Sequence, residues 1–206
     1  MISPTPEAAP QKVKPSKSRQ ISAPQTPPGE HLDLSESSFP PEGEVKEFLV
    51  RIGRTFGRQV FAPGICSGSS EPDPENEIPE ISDKKQAEFF EKMEAIWMNG
   101  QEAEIGFVSV LRNQSFGQTQ ILADFLTLFP KSKTEWFILF HSSQREQLVA
   151  ELRRPLFAAM KRPLAQRCRL LEWNRLADEI AAVHSHLKYL KVDFIRDLSF
   201  FADMSP

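Results

Sequence analysis

Residues 103–113, Ala103-Glu-Ile-Gly-Phe-Val-Ser-Val-Leu-Arg-Asn113, decide between two folds. Read by alternation, the run is a β-strand. Read by apolar density, it is a buried helix, and periodicity alone does not separate the two over so short a run. The neighbours therefore carry the decision. Upstream, Gln86, Phe89, Phe90, Met93, Ile96 and Trp97 recur at spacings of three and four, behind a Ser82 or Asp83 cap. Asn99-Gly100 supplies a helix stop. Downstream, Ser115 or Gly117 opens the run "GQTQILADFLTLF", which Pro130 closes. Helical neighbours favour a helix at 103–113.

The same logic extends toward the C-terminus. Ser132 with Glu135 forms a capping-box pattern before "WFILF", and Ser143 with Glu146 forms another before "QLVAELRR". Leu170, Trp173, Leu176, Ile180, Val183, Leu187, Leu190 and Phe194 then mark the longest helix. With no hairpin series or long repeat in view, the sequence predicts an all-α domain over residues 82–201. It would hold about five to seven helices in a bundle-like arrangement, with a short tail at 202–206.

Upstream of that domain, composition divides the chain. Prolines stand at positions 4, 6, 10, 15, 24, 27, 28, 40 and 41, and large apolar residues are scarce. Residues 1–44 are therefore expected to be a disordered Pro/Ser-rich tail. Residues 45–61, "VKEFLVRIGRTFGRQVF", put Val45, Phe48, Leu49, Ile52, Phe56 and Val60 on one helical face and Arg51, Arg54 and Arg58 on another. This predicts a short basic amphipathic helix, weakened by Gly53 and Gly57. Residues 62–81 read as a flexible acidic linker rich in Pro, Gly and Ser.

Two short patterns resemble known recognition elements. The order Val45, Leu49, Ile52, Gly53, Phe56 resembles the spacing of a BH3 helix from the Bcl-2 family, with Arg54 where that motif has Asp. Such spacing implies a docking helix that seats Val45, Leu49, Ile52 and Phe56 in a groove, on this domain or on a partner. In the tail, Arg19-Gln-Ile-Ser22-Ala-Pro24 resembles the phosphoserine motif read by 14-3-3 proteins, and Thr26-Pro27 looks like a proline-directed kinase site. Both mark Ser22 and Thr26 as candidate phosphorylation sites.

Charge narrows the functional classes. A net charge of -3 excludes a uniformly basic nucleic-acid binder. Locally, Arg154-Pro155-Leu156 returns as Arg162-Pro163-Leu164. Proline fits the first turn of a helix, so the two prolines read as two helix starts. Turning the chain twice gathers Arg153, Arg154, Lys161, Arg162, Arg167 and Arg169 at one corner. Guanidinium forks match carboxylates and phosphates bidentately, so this corner is the candidate partner-binding site. A nucleic-acid surface would also want exposed rings for stacking. Here Phe157 and Trp173 lie on apolar stripes.

Other chemistries lack residues to perform them. Cys66 and Cys168 make no disulfide framework and no zinc spacing. The two cysteines suit the cytoplasm or nucleus, and the N-terminus carries no secretory h-region. No apolar run reaches membrane-spanning length. His184 and His186 point to different sides of a helix and complete no metal set, and no catalytic or cofactor motif is present. The expectation is a non-enzymatic regulatory or adaptor protein, a cellular scaffold or small viral accessory factor, that binds an acidic or helical protein partner. The last helix would offer a homodimer seam. The alternative is a nucleic-acid-binding regulator using the arginines of 153–169.

Overall fold

The computed structural model describes residue 40 and residues 42–64, 83–111 and 115–203. Most of the expected disordered tail, with Ser22, Thr26 and His31, lies outside the described residues, as do Cys66 and most of the acidic linker; the tail's expected end at 44 is corrected, because residues 42–44 already belong to a helix. Chain contacts separate Met1–Ser37 from a unit spanning Ser38–Pro206, and everything below concerns the second unit.

The expected all-α domain is overturned. Six strands form one mixed sheet, with helices on both faces. The elements run α1 (Glu42–Thr55), β1 (Gln59–Phe61), α2 (Lys84–Phe90), β2 (Ala95–Asn99), β3 (Glu102–Ser109), α3 (Ser115–Leu128), β4 (Glu135–Phe140), α4 (Arg145–Leu152), α5 (Pro155–Ala158), β5 (Cys168–Glu172), α6 (Trp173–Ala182), α7 (Asp193–Leu198) and β6 (Phe200–Phe201). Strand order follows chain order, β1 to β6. The β1–β2, β2–β3 and β5–β6 pairs are antiparallel. The pairs β3–β4 and β4–β5 are parallel, joined across the sheet by α3 and by α4 with α5.

Burial on both sides explains why strands were read as helices. In β4, Trp136, Ile138 and Phe140 enter one apolar core while Phe137 and Leu139 enter the other. In β3, Val108 faces the first core and Ile105 and Phe107 the second. A strand sandwiched this way is apolar at every position, so its period of two vanishes from the hydropathy pattern. The stripe from Phe89 to Trp97 breaks at Phe90, where α2 ends, because Ile96 and Trp97 belong to β2 and enter opposite cores. Asn99 closes β2 opposite Glu102, and Gly100-Gln101 is the β2–β3 hairpin turn, with Gly100 at φ 64°, the position that a two-residue turn opening on glycine demands. The long final helix is divided among β5, α6, a 3-10 turn at His184–Tyr189 and α7. Leu170 and Trp173, Leu176 and Ile180 are thereby turned into the domain's own cores.

Two glycines record close approach. A Cβ on Gly106 would stand 2.2 Å from Cζ3 of Trp136, its register partner on β4. One on Gly53 would stand 2.6 Å from Nε1 of Trp97 and from Cγ2 of Val60. Gly53 therefore lets α1 lie flat on the sheet rather than weakening an isolated helix.

Candidate functional site

Five of the six cations singled out from the sequence lie on the α4–β5 connection and the sixth, Arg169, on β5 itself, and the structure divides them. Arg153 follows α4 and donates from Nη2 to the carbonyl oxygen of Ala202 at 2.6 Å. Arg154 caps α5 and donates from Nη1 to Glu151 at 3.0 Å, with half its side chain in solvent. Arg169 lies on β5, not on a helix, and pairs with Glu135 of β4. Glu135 also receives Arg196 of α7 at 2.7 Å, and its hydrogen bond raises the Arg196 pKa. Arg169 further lies 4.5 Å from the Phe201 ring centre, and Arg145 lies 4.8 Å from that of Phe200. These contacts fasten the two-residue strand β6 to the sheet edge.

Lys161, Arg162 and Arg167 differ. Lys161 and Arg162 are exposed and Arg167 is half-buried. Among the described residues no ion pair or hydrogen bond engages their side chains. Partial burial pushes the Arg167 pKa down, and the charge of Arg162 pushes it the same way. Between Glu151 and Glu172 the chain holds no acid, so the connection stays cationic from end to end. At its turn, Leu156 is 64% exposed on α5, while Phe157 beside it and Trp173 beyond are buried.

The expected docking helix is α1, and it ends at Thr55. Residues 59–61 of the expected 45–61 helix form β1. Val45, Leu49 and Ile52 are buried against the sheet. Phe56 meets Trp97 edge-on at 5.8 Å, and Phe48 meets Trp173 at 5.0 Å. The Trp97 indole donates to the Leu49 carbonyl oxygen at 3.2 Å. The anchors thus serve the domain's own core. The outer face of α1 bears an open hollow of about 450 Å³ lined by Glu47, Val50, Arg51, Arg54 and Thr55.

Two polar groupings escaped the sequence reading. At the start of β2, Glu94 is 7% exposed and accepts from Ser109 Oγ at 2.6 Å. Its other oxygen lies 4.0 Å from Lys46 Nζ, which also donates to the Pro63 carbonyl oxygen at 3.2 Å. The grouping ties α1, the chain after β1, and the β2–β3 pair together. Only the hairpin makes residues 94 and 109 neighbours, so no linear spacing announces it. At the carboxyl end of β4, His141 is buried, with Nδ1 2.8 Å from Ser143 Oγ and Nε2 3.4 Å from Asn174 Nδ2. This resembles a nucleophile row in composition alone. Ser143 N–H also donates to Nδ1 and the Gln144 side chain returns to the His141 amide, so the histidine caps the turn before α4.

Cys168 is fully buried in β5, and burial pushes its pKa up to about 12. The neighbouring Arg167 lowers it by less than burial raises it. A thiolate is thus disfavoured despite the flanking Arg167 and Arg169, and Cys168 packs as a small apolar residue. Among the described residues no three His, Cys, Asp or Glu side chains converge, and no helix is long and apolar enough to cross a membrane. No protein-family model, curated protein or solved structure matches the chain.

Proposed function

We propose that the protein is a non-enzymatic interaction module that receives an acidic protein segment on the α4–β5 connection. One observation carries this reading. Leu156 stands exposed on α5, and the chain that follows carries the exposed Lys161 and Arg162 with no acid before Glu172. An exposed apolar side chain inside a cationic rim fits a segment with an apolar anchor and flanking carboxylates. A nucleic acid would use the cations but leave Leu156 in water, and the rings it would stack on, Phe157 and Trp173, are buried.

Fluorescence anisotropy tests the reading with three labelled probes across a salt series. They are a degenerate acidic peptide library with a fixed central leucine, a DNA duplex and a single-stranded RNA. The expected result is peptide binding that weakens with salt and is lost in Leu156→Asp and in the Lys161→Ala/Arg162→Ala pair. Silence of the peptides at low salt would overturn the reading. Binding of DNA or RNA that disappears with Lys161 and Arg162 but ignores Leu156 would replace it with the nucleic-acid alternative.

A further inference from the structure

We infer that Arg162 and Arg167 form the binding pair for a phosphoryl group carried by the protein segment that docks beside Leu156. This rests on the reading above and names the chemistry of its anion. The two residues bracket a rigid turn. Gln166 N–H donates to the Pro163 carbonyl oxygen at 3.0 Å, and Arg167 N–H donates to that of Leu164 at 3.0 Å. Leu164 and Ala165 between them are buried, which anchors the turn to the core. Both side chains therefore leave a fixed backbone base, so binding has to order the two side chains but not the turn that carries them.

Their charges are unbalanced. Among the described residues neither has an ion-pair partner, and Lys161 adds a third free cation next to Arg162. Partial burial lowers the Arg167 pKa, the neighbouring Cys168 opposes that shift, and Arg162 adds to it. A carboxylate carries one negative charge and would leave one guanidinium uncompensated. A phosphoryl monoester carries about -1.5 to -2 charges and three acceptor oxygens, enough for two forks at once. The exposed Leu156 favours a peptide as its carrier, since a phosphodiester backbone offers no apolar counterpart.

The test uses the full chain and two peptide libraries identical except that one fixed serine is phosphorylated. The phosphorylated library should bind at least about tenfold tighter, the worth of one added charge-assisted contact. Arg162→Ala should weaken both libraries and bring them to equal affinity, so that the ratio of the two affinities is the readout. Arg167→Lys should keep only part of the phosphorylated library's advantage, because an ammonium cannot fork. Near-UV circular dichroism checks that each variant is folded, and exposed Arg162 keeps the test valid if Arg167 variants unfold. Equal binding of the two libraries would overturn the phosphoryl assignment and leave the docking surface standing. Failure of both libraries would overturn the two together. Selective binding of the DNA duplex through Arg162 would overturn the peptide carrier.

Discussion

Gly106→Ala should break the sheet where the fold is decided. The added methyl would meet three atoms of the Trp136 ring, Cζ3 at 2.2 Å, Cε3 at 2.5 Å and Cη2 at 2.7 Å. Trp136 cannot retreat. It is fully buried on β4, 4.9 Å from the Phe125 ring and 6.4 Å from that of Phe90. Overpacking of this kind costs about 1–3 kcal/mol, and the rigid setting places it near the top of that range. Replacing glycine within a strand returns about 0.5–1 kcal/mol of chain entropy. The net loss is about 2 kcal/mol. With a urea slope of about 2 kcal/mol per molar, the unfolding midpoint should fall by about 1 M. Urea titration followed by tryptophan fluorescence reads this directly. Trp136→Phe should rescue the alanine variant, because phenylalanine lacks the second ring, and the pair should be coupled in a double-mutant cycle. Trp136 also has a buried Nε1–H without a hydrogen-bond partner among the described residues, so its loss removes one polar liability along with the packing. A midpoint within about 0.2 M of the parent would show that the β3–β4 register is not the one described, and the reasoning would fall.

In a Cys66→Ser background, the thiol of Cys168, with its pKa raised to about 12, should stay unreactive to iodoacetamide at pH 8 in the native state and react on unfolding; rapid native labelling would contradict its burial. Because the folded protein holds that proton more tightly than the unfolded chain does, its contribution to stability should be intact below about pH 9 and be lost as pH rises toward 12; a flat alkaline limb in the melting temperature would refute this. Glu135→Gln should cost about 1 kcal/mol at low salt and less at high salt, since Glu135 joins Arg169 and Arg196; an equal cost at both salts would point to packing instead. Trp173→Ala should lower stability by about 3–5 kcal/mol, given 7% exposure and its contact with Phe48; an unchanged melting temperature would place it on the surface.

Elements with one buried face were legible in the sequence, and elements with two were not. Helix α1 announces itself through Val45, Leu49 and Ile52 because its other side is polar. Helix α3 falls where its flanking signals put it, and Pro155 opens α5 as the helix-start rule requires. Strands β2, β3 and β4 fill two cores at once, and alternation between two apolar environments leaves no trace in hydropathy. Local signals for them did exist. Asn99-Gly100 is a hairpin dipeptide as well as a helix stop, and Ile105, Val108 and Val110 are β-branched. Gly106 in the middle of the run marked a place where another side chain comes close. Weighing those three together would have favoured the strand over the helix.

The arginine corner shows the complementary limit. A sequence counts charges, but their partners come from elsewhere in the fold. Arg169 finds Glu135 thirty-four positions away, and Arg153 finds the Ala202 carbonyl forty-nine away. Both are neighbours only because β4, β5 and β6 lie side by side, an arrangement that an all-α reading cannot supply. Six cations that look equivalent in the sequence therefore split by what the sheet brings to them. Arg153 and Arg169 hold the C-terminal strand, Arg154 pairs locally with Glu151, and Lys161, Arg162 and Arg167 are met by neither a carboxylate nor a carbonyl among the described residues. Substituting Arg153 or Arg169 consequently probes the fold, whereas substituting Lys161 or Arg162 tests the proposed docking surface with little cost to the fold. A partner that responded only to the first pair would be binding the sheet edge rather than the α4–β5 turn.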